Sequence, residues 1–133
     1  MMDFSSLVLM EKDKETGYIT KELGSFEVTE GALYVKKLFV LDNEVNLYFD
    51  TNKDVEEWEY SAIYDLFNSE RFIEKGFKVE EDLEEYNPTF VLKFPFEEEY
   101  ADMKEKLDEV VELIDSEMNN VFEAIKGKEE DYK

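Results

Sequence analysis

Neither histidine nor cysteine occurs in this chain, and arginine occurs once, at Arg71. Without cysteine there is no disulfide framework, thiolate nucleophile or zinc–thiolate centre. Without histidine the chain lacks the side chain most used for proton transfer near neutral pH and the commonest transition-metal ligand. Ser–His–Asp and Cys–His catalysis are therefore closed to it. A lone guanidinium cannot form a clamp of several for phosphate. The five glycines, at 17, 24, 31, 76 and 127, are scattered and make no phosphate-binding loop. No apolar run is long enough to span a bilayer. The first residues lack the basic and apolar regions of a signal peptide. These absences point away from an enzyme. No cofactor and no metal are expected, and the expected location is the cytoplasm.

Positive charge is scarce as well. Fifteen Lys and Arg stand against 36 Asp and Glu, for a net charge of −21. The excess is uneven, −5 over residues 1–50 and −16 over residues 51–133. Such a surface repels nucleic acid and anionic lipid. The expectation is no direct nucleic-acid binding, no membrane binding, and attraction for a basic protein partner at a rate that falls with salt. Eleven Phe and eight Tyr nonetheless supply enough apolar surface for one core.

Periodicity sets out the elements. The first 50 residues read as strands. "FSSLVLME" is a short apolar run, and "GYITKELGSFEV" offers Tyr18, Leu23, Phe26 and Val28 for burial. "LYVKKLFVL" and "EVNLYFD" flank Asp42–Asn43, a tight hairpin turn. Val45, Leu47 and Phe49 share one face, and Lys36–Lys37 marks a solvated one. "TNKDVEEWEYSAIYDLF" carries a helical stripe, with Thr51/Asp54 or Asp54/Glu57 as its capping pair. "SERFIEK" makes a second short turn that stops at Gly76. "FKVEEDLEEYNPTFVLKF" reads as a hairpin with Phe90, Leu92 and Phe94 on one face.

The last element is the clearest. Tyr100, Met103, Leu107, Val110, Ile114, Met118, Val121 and Ile125 recur at helical spacing through residues 97–125, before Lys126 and Gly127. That stripe fits a helix laid across a sheet, and it leaves open a homodimer seam. The predicted fold is α+β: a mostly antiparallel sheet with helices on one face. Its order is a β-rich N-terminal half, α, β-hairpin, long C-terminal α. Strand, turn, strand, helix occurs twice, so a duplicated ββα unit stays open. Residues 1–127 read as a single domain and residues 128–133 as a frayed acidic tail.

Two acidic groups stand out. "VEEDLEEYN" places Glu80, Glu81, Asp82, Glu84 and Glu85 within a single turn and strand. Acids facing one another there would repel, which predicts an edge or frayed strand, and charge on an edge also blocks stray pairing. Along the final helix, Glu98, Asp102, Glu105, Glu109 and Glu112 form a row opposite the apolar stripe, with Lys104 and Lys106 nearby. Both groups are candidate surfaces for a basic partner. Against a globule of roughly 7,000 Å², the net charge comes to about one per ~350 Å². B-DNA carries about one per ~100 Å². Nucleic-acid mimicry is open but not compelled.

Carboxylate pairs such as Glu81/Glu85 and Asp108/Glu112 could hold a hard cation or split acid and base roles. Chance pairing among 36 acids explains them better. "EKDKETGYITKEL" fails as a calcium loop, because Gly17 at the sixth position puts Lys12, Lys14 and Thr16 where ligands belong. A β-turn at Gly17 fits instead. Trp58, Tyr60 and Tyr64 could line a small-ligand pocket, although their helical spacing suits packing at the edge of a core.

"FSSLVLMEKDKETGYITKELGSFEV", "YFDTNKDVEEWEYSAIYDLF" and "EEDLEEYNPTFVLKF" together resemble a family of small, acidic proteins from clostridial-type bacteria that has no assigned activity. The resemblance spans nearly the whole chain and rests on general similarity. It implies a bacterial cytosolic protein and carries over no site residues. The function expected is a non-catalytic acidic interaction module, in its narrowest form a nucleic-acid-mimicking inhibitor. The alternatives are a ligand-binding domain with an aromatic pocket, or a homodimer whose acids only keep it soluble.

Overall fold

The computed structural model describes residues 5–28 and 30–132. Phe4 of the first apolar run and Lys133 of the tail lie outside the described residues. The chain forms β1 (Ser5–Lys12), β2 (Ile19–Val28), a 3-10 turn (Glu30–Tyr34), β3 (Val35–Leu41) and β4 (Glu44–Asp50). Then come α1 (Glu57–Leu66), α2 (Glu70–Ile73), β5 (Lys78–Asp82), β6 (Thr89–Pro95) and α3 (Tyr100–Ile125). A short 3-10 turn, Glu129–Asp131, follows. The six strands make one sheet in the order β2-β1-β3-β4-β6-β5. Every pairing is antiparallel except β1 with β3. The fold is α+β, as the order of elements predicts.

Local chemistry accounts for the turns. Asp42 and Asn43 take φ of 52° and 64°, the left-handed pair that a two-residue hairpin between right-twisted strands requires. Asp13 Oδ1 accepts the N–H groups of Glu15 and Thr16 at 2.7 and 3.1 Å, and Gly17 turns at φ 75°. This is a side-chain-stabilised turn with Gly17, as expected in place of a calcium loop. Val45, Leu47 and Phe49 are fully buried on one face of β4, opposite Phe94, Leu92 and Phe90 of β6. Phe49, Phe67, Phe72 and Phe90 stack with centroids 4.0–6.2 Å apart and join that face to α1 and α2.

The α3 stripe is buried from Met103 to Ile125 in the chain's own core, together with Ala62 and Ile63 of α1. The apolar surface that a homodimer seam would use is thus occupied within the chain. Gly127 at φ 77° supplies the left-handed stop after α3. A close approach supports the helix from the 3-10 turn at 30–34. A Cβ on Gly31 would lie 2.0 Å from the Val111 carbonyl oxygen. Only glycine lets the two backbones meet there.

Three local expectations are corrected. Tyr18 is 75% exposed, because it sits at the end of the Gly17 turn beyond the reach of the core. Leu23 packs against the core but is only partly buried, because β2 bulges there against Leu9 and Met10, which is why that strand alternates only loosely. The helix after β4 is capped neither from Thr51 nor from Asp54. Asn52 turns left-handed at φ 57°, which delays the helix, and the N-cap is Glu56, whose N–H reaches Glu59 Oε1 at 2.8 Å. The hydroxyl of Thr51 donates instead to the Lys53 carbonyl at 2.6 Å.

The strand–turn–strand–helix order does recur, in β3-β4-α1 and in β5-β6-α3. The two hairpins meet at the antiparallel β4·β6 pairing, with Leu47 opposite Leu92. Their helices differ in length, 10 residues against 26.

Candidate functional site: two acidic surfaces

β5 is an edge strand, so charge there guards an unpaired row of backbone groups. The expected repulsion between facing acids does not arise. Glu80, Glu81 and Asp82 face Val91, Phe90 and Thr89. Glu80 also binds Lys93 at 2.7 Å, and that hydrogen bond holds the Lys93 ammonium above its ordinary 10.5. Glu84 and Glu85 sit in the turn between β5 and β6, and both are exposed.

The acidic turn is held in place by α1. The Tyr60 hydroxyl donates between the carbonyls of Leu83 and Glu85, each at 3.3 Å. The Tyr64 hydroxyl accepts the Thr89 N–H at 2.8 Å, and its own hydrogen lies between the carbonyls of Asp82 at 3.0 Å and Thr89 at 3.2 Å. Burial drives the Tyr64 pKa upward from 10.0. Asn87 Nδ2 donates to Asp54 Oδ1 at 3.3 Å, and Asp82 Oδ1 accepts the Glu84 N–H at 3.2 Å. Tyr60 and Tyr64 therefore clamp the hairpin through their hydroxyls.

The helix acids are arranged differently. Glu98 precedes α3, whose N-cap is Glu99, so the helical row begins at Asp102. Asp102, Glu105 and Glu112 are exposed and Glu109 is partly so. Among the described residues these four make no ion pair. Lys104 turns to Asp108 at 2.8 Å, outside the row. Lys106 holds its ammonium 5.6 Å from the centre of the Phe77 ring. Together with Glu97, Asp102, Glu105 and Glu109 it lines a shallow hollow of about 250 Å³.

The two acidic groups line separate hollows. The one beside 80–84 is bounded by Tyr48, Val91 and Lys93 from the sheet face opposite the helices. Among the described residues no group of three or more carboxylates is disposed to hold a metal ion, and no helix is long and apolar enough to cross a membrane.

Sequence reasoning passed over one acid. Glu117 is 3% exposed. Its carboxylate accepts from Arg71 Nη1 at 2.8 Å and from the Asn68 N–H at 2.9 Å, while Arg71 Nη2 donates to Ser116 Oγ at 2.9 Å. A signal was present: Glu117 falls inside the apolar arc between Ile114 and Val121, and the chain has one arginine to meet it. Another feature had no signal. Residues 129–131, in the stretch read as a tail, form a turn that brings Tyr132 against the core. The Tyr132 hydroxyl donates to Asp65 Oδ2 at 2.5 Å, which raises its pKa. Tyr132, Trp58, Ser61, Glu56 and Glu57 line a hollow of about 580 Å³ at the start of α1.

The family model described as "Family of unknown function (DUF6762)" matches residues 2–133. No curated protein and no solved structure matches the chain.

Proposed function

The chain belongs to this family of unknown function, and we propose that it is a non-catalytic interaction module whose acidic helix face docks a basic protein. The observation that carries this reading is the row Asp102, Glu105, Glu109 and Glu112, which faces outward without ion pairs. The opposite side of α3 is locked into the core, so the row cannot rotate away. A row of charge on a fixed helix steers encounter over roughly a Debye length, about 8 Å at physiological salt. The clamped hairpin acids form a secondary surface. The resemblance to proteins of clostridial-type bacteria supports a bacterial cytoplasmic location as part of this proposal.

The narrower form of the proposal is a nucleic-acid mimic. A net charge of −21 over 8,089 Å² is one per about 385 Å², nearly fourfold more dilute than the ~100 Å² of duplex DNA. Mimicry therefore rests on the α3 row alone, where neighbouring acids stand about 5–6 Å apart.

The test is affinity capture from native lysate at low and at high salt, read by mass spectrometry. Wild-type protein is expected to retain basic proteins at low salt and release them at high salt. The triple variant E105K/E109K/E112K is expected to lose them. A hairpin variant with the same change in net charge, E81K/E84K/E85K, is expected to keep most of them. Equal loss in both variants would replace a specific face by bulk charge. Undiminished capture by the helix variant would sink the proposal. Competition by duplex DNA for a captured partner separates mimicry from simple docking.

A further inference from the structure

The hollow of about 580 Å³ at the start of α1 has a lining unlike the rest of the surface: two aromatic rings, two carboxylates and a hydroxyl. Its volume falls within the roughly 300–1,000 Å³ of small-molecule sites. What it can bind follows from which polar groups are already used. The indole N–H of Trp58 donates to Glu56 Oε2 at 2.7 Å. The hydroxyl hydrogen of Tyr132 is given to Asp65 at 2.5 Å. Both rings have spent their only donors, so what they can still offer a ligand is π surface and, from Tyr132, a lone pair. The end of α1 would otherwise attract an anion. Here Glu56 and Glu59 cap each other's backbone N–H groups, which puts carboxylates where an anion would sit. Glu56 and Glu57 make no ion pair among the described residues.

We propose that this hollow binds an alkylammonium group, with Glu57 as counter-ion and the rings of Trp58 and Tyr132 as the apolar walls. An aromatic ring attracts a cation through its quadrupole, and the attraction grows as the cation sheds water. A carboxylate beside the rings supplies the charge. Two carboxylates beside rings whose own donors are already used disfavour an anion. The ammonium could be carried by a free polyamine or by a lysine side chain, since both present the same group. This site stands apart from the α3 row and does not depend on it.

Trp58 is the one tryptophan in the chain, so its emission, excited where tyrosine does not absorb, reports on this site alone. The full chain is titrated with spermidine, with a short lysine peptide, and with the same peptide carrying norleucine in place of lysine, at matched ionic strength. The expected result is a saturable change with spermidine or the lysine peptide and none with the norleucine peptide. Glu57 is exposed and outside the capping pair, so Glu57→Gln keeps the fold and is expected to weaken binding by about tenfold. The variant E105K/E109K/E112K is expected to bind within about a factor of two of wild type. The tighter of the two ammonium ligands identifies the source. No saturable change by about 10 mM, an equal response to the norleucine peptide, or unaltered affinity in Glu57→Gln would each overturn the proposal.

Discussion

The hairpin around residues 80–85 and the outer row of α3 are both rich in carboxylate, yet the fold treats them differently. Two of the hairpin acids are tied in through their side chains, and the backbone that carries Glu84 and Glu85 is held although their carboxylates are exposed. Lys93 answers Glu80, Asp82 caps its own turn, and two tyrosines from α1 hold the backbone on either side. The outer helix acids make no ion pair among the described residues: Lys104 turns to Asp108, and Lys106, which shares their hollow, lies against the Phe77 ring. Charge in the hairpin belongs to the economy of an edge strand. The outer row of α3 has no ion pair among the described residues, and that is why the functional proposal rests there. Glu117, on the inward side of the same helix, shows what a structural acid looks like: buried, bonded by an arginine and by a backbone N–H.

If this contrast is right, neutralising acids will have very unequal effects. The largest loss is expected from Glu117→Ala, which strands Arg71 and the Asn68 N–H. Arg71 is 30% exposed and can partly rehydrate, so the cost falls near the low end of the range for a broken buried pair, about 3 kcal/mol in urea unfolding. Next comes Tyr64→Phe. It leaves the Thr89 N–H without its acceptor and is expected to cost about 1–2 kcal/mol, with faster amide exchange confined to residues 82–89.

The same tyrosine sets an alkaline limit. Its native pKa is raised, so the folded form keeps the proton longer than the unfolded chain. The stability it contributes is complete below its ordinary value of 10.0 and is lost as pH rises toward the elevated native value. Lys93, also raised, acts in the same direction above 10.5. Unfolding free energy measured against pH should fall above about pH 10, and less steeply in Tyr64→Phe.

A smaller effect is expected from Glu80→Gln. The pair with Lys93 is half exposed, with side-chain exposures of 55% and 31%, so the loss should stay under about 1 kcal/mol. Lys93, followed by NMR titration, should return toward its ordinary value. Least of all is expected from E105Q/E109Q/E112Q: a change within about 0.5 kcal/mol, in the stabilising direction because like charges one turn apart repel. A loss of more than about 2 kcal/mol from that triple variant would mean the row has hidden structural partners and would remove the ground for the docking proposal.

Much of this was legible from spacing alone. The hairpin at Asp42–Asn43, the burial of Phe90, Leu92 and Phe94 and the span of α3 follow from period and turn chemistry, while the edge position of β5 is legible from its charge although the facing acids expected there do not occur. What escaped was decided by partners far apart in sequence. Glu56 is an uncommon N-cap, and it fills that role because Asn52 delays the helix. Register, which sequence does not give, set Glu80 against Val91 rather than against another acid. Tyr132 meets Asp65 across 67 positions, and no local pattern announces that contact. The exposed carboxylates could be named from composition, but which of them stay unpaired could be known only once Lys93 and Lys104 had chosen partners.

The sheet order also has a kinetic consequence. The β1–β2, β3–β4 and β5–β6 pairings each join strands adjacent in sequence, and such hairpins form within microseconds. The pairing of β4 with β6 is of another kind, since Leu47 and Leu92 lie 45 positions apart. Closing that distance costs loop entropy before the buried Val45, Leu47 and Phe49 gain their partners. Refolding should therefore be limited by the meeting of two preformed hairpins. Leu47→Ala or Leu92→Ala should slow it more than any change within the β1–β2 turn, with the β4·β6 seam as the transition-state nucleus.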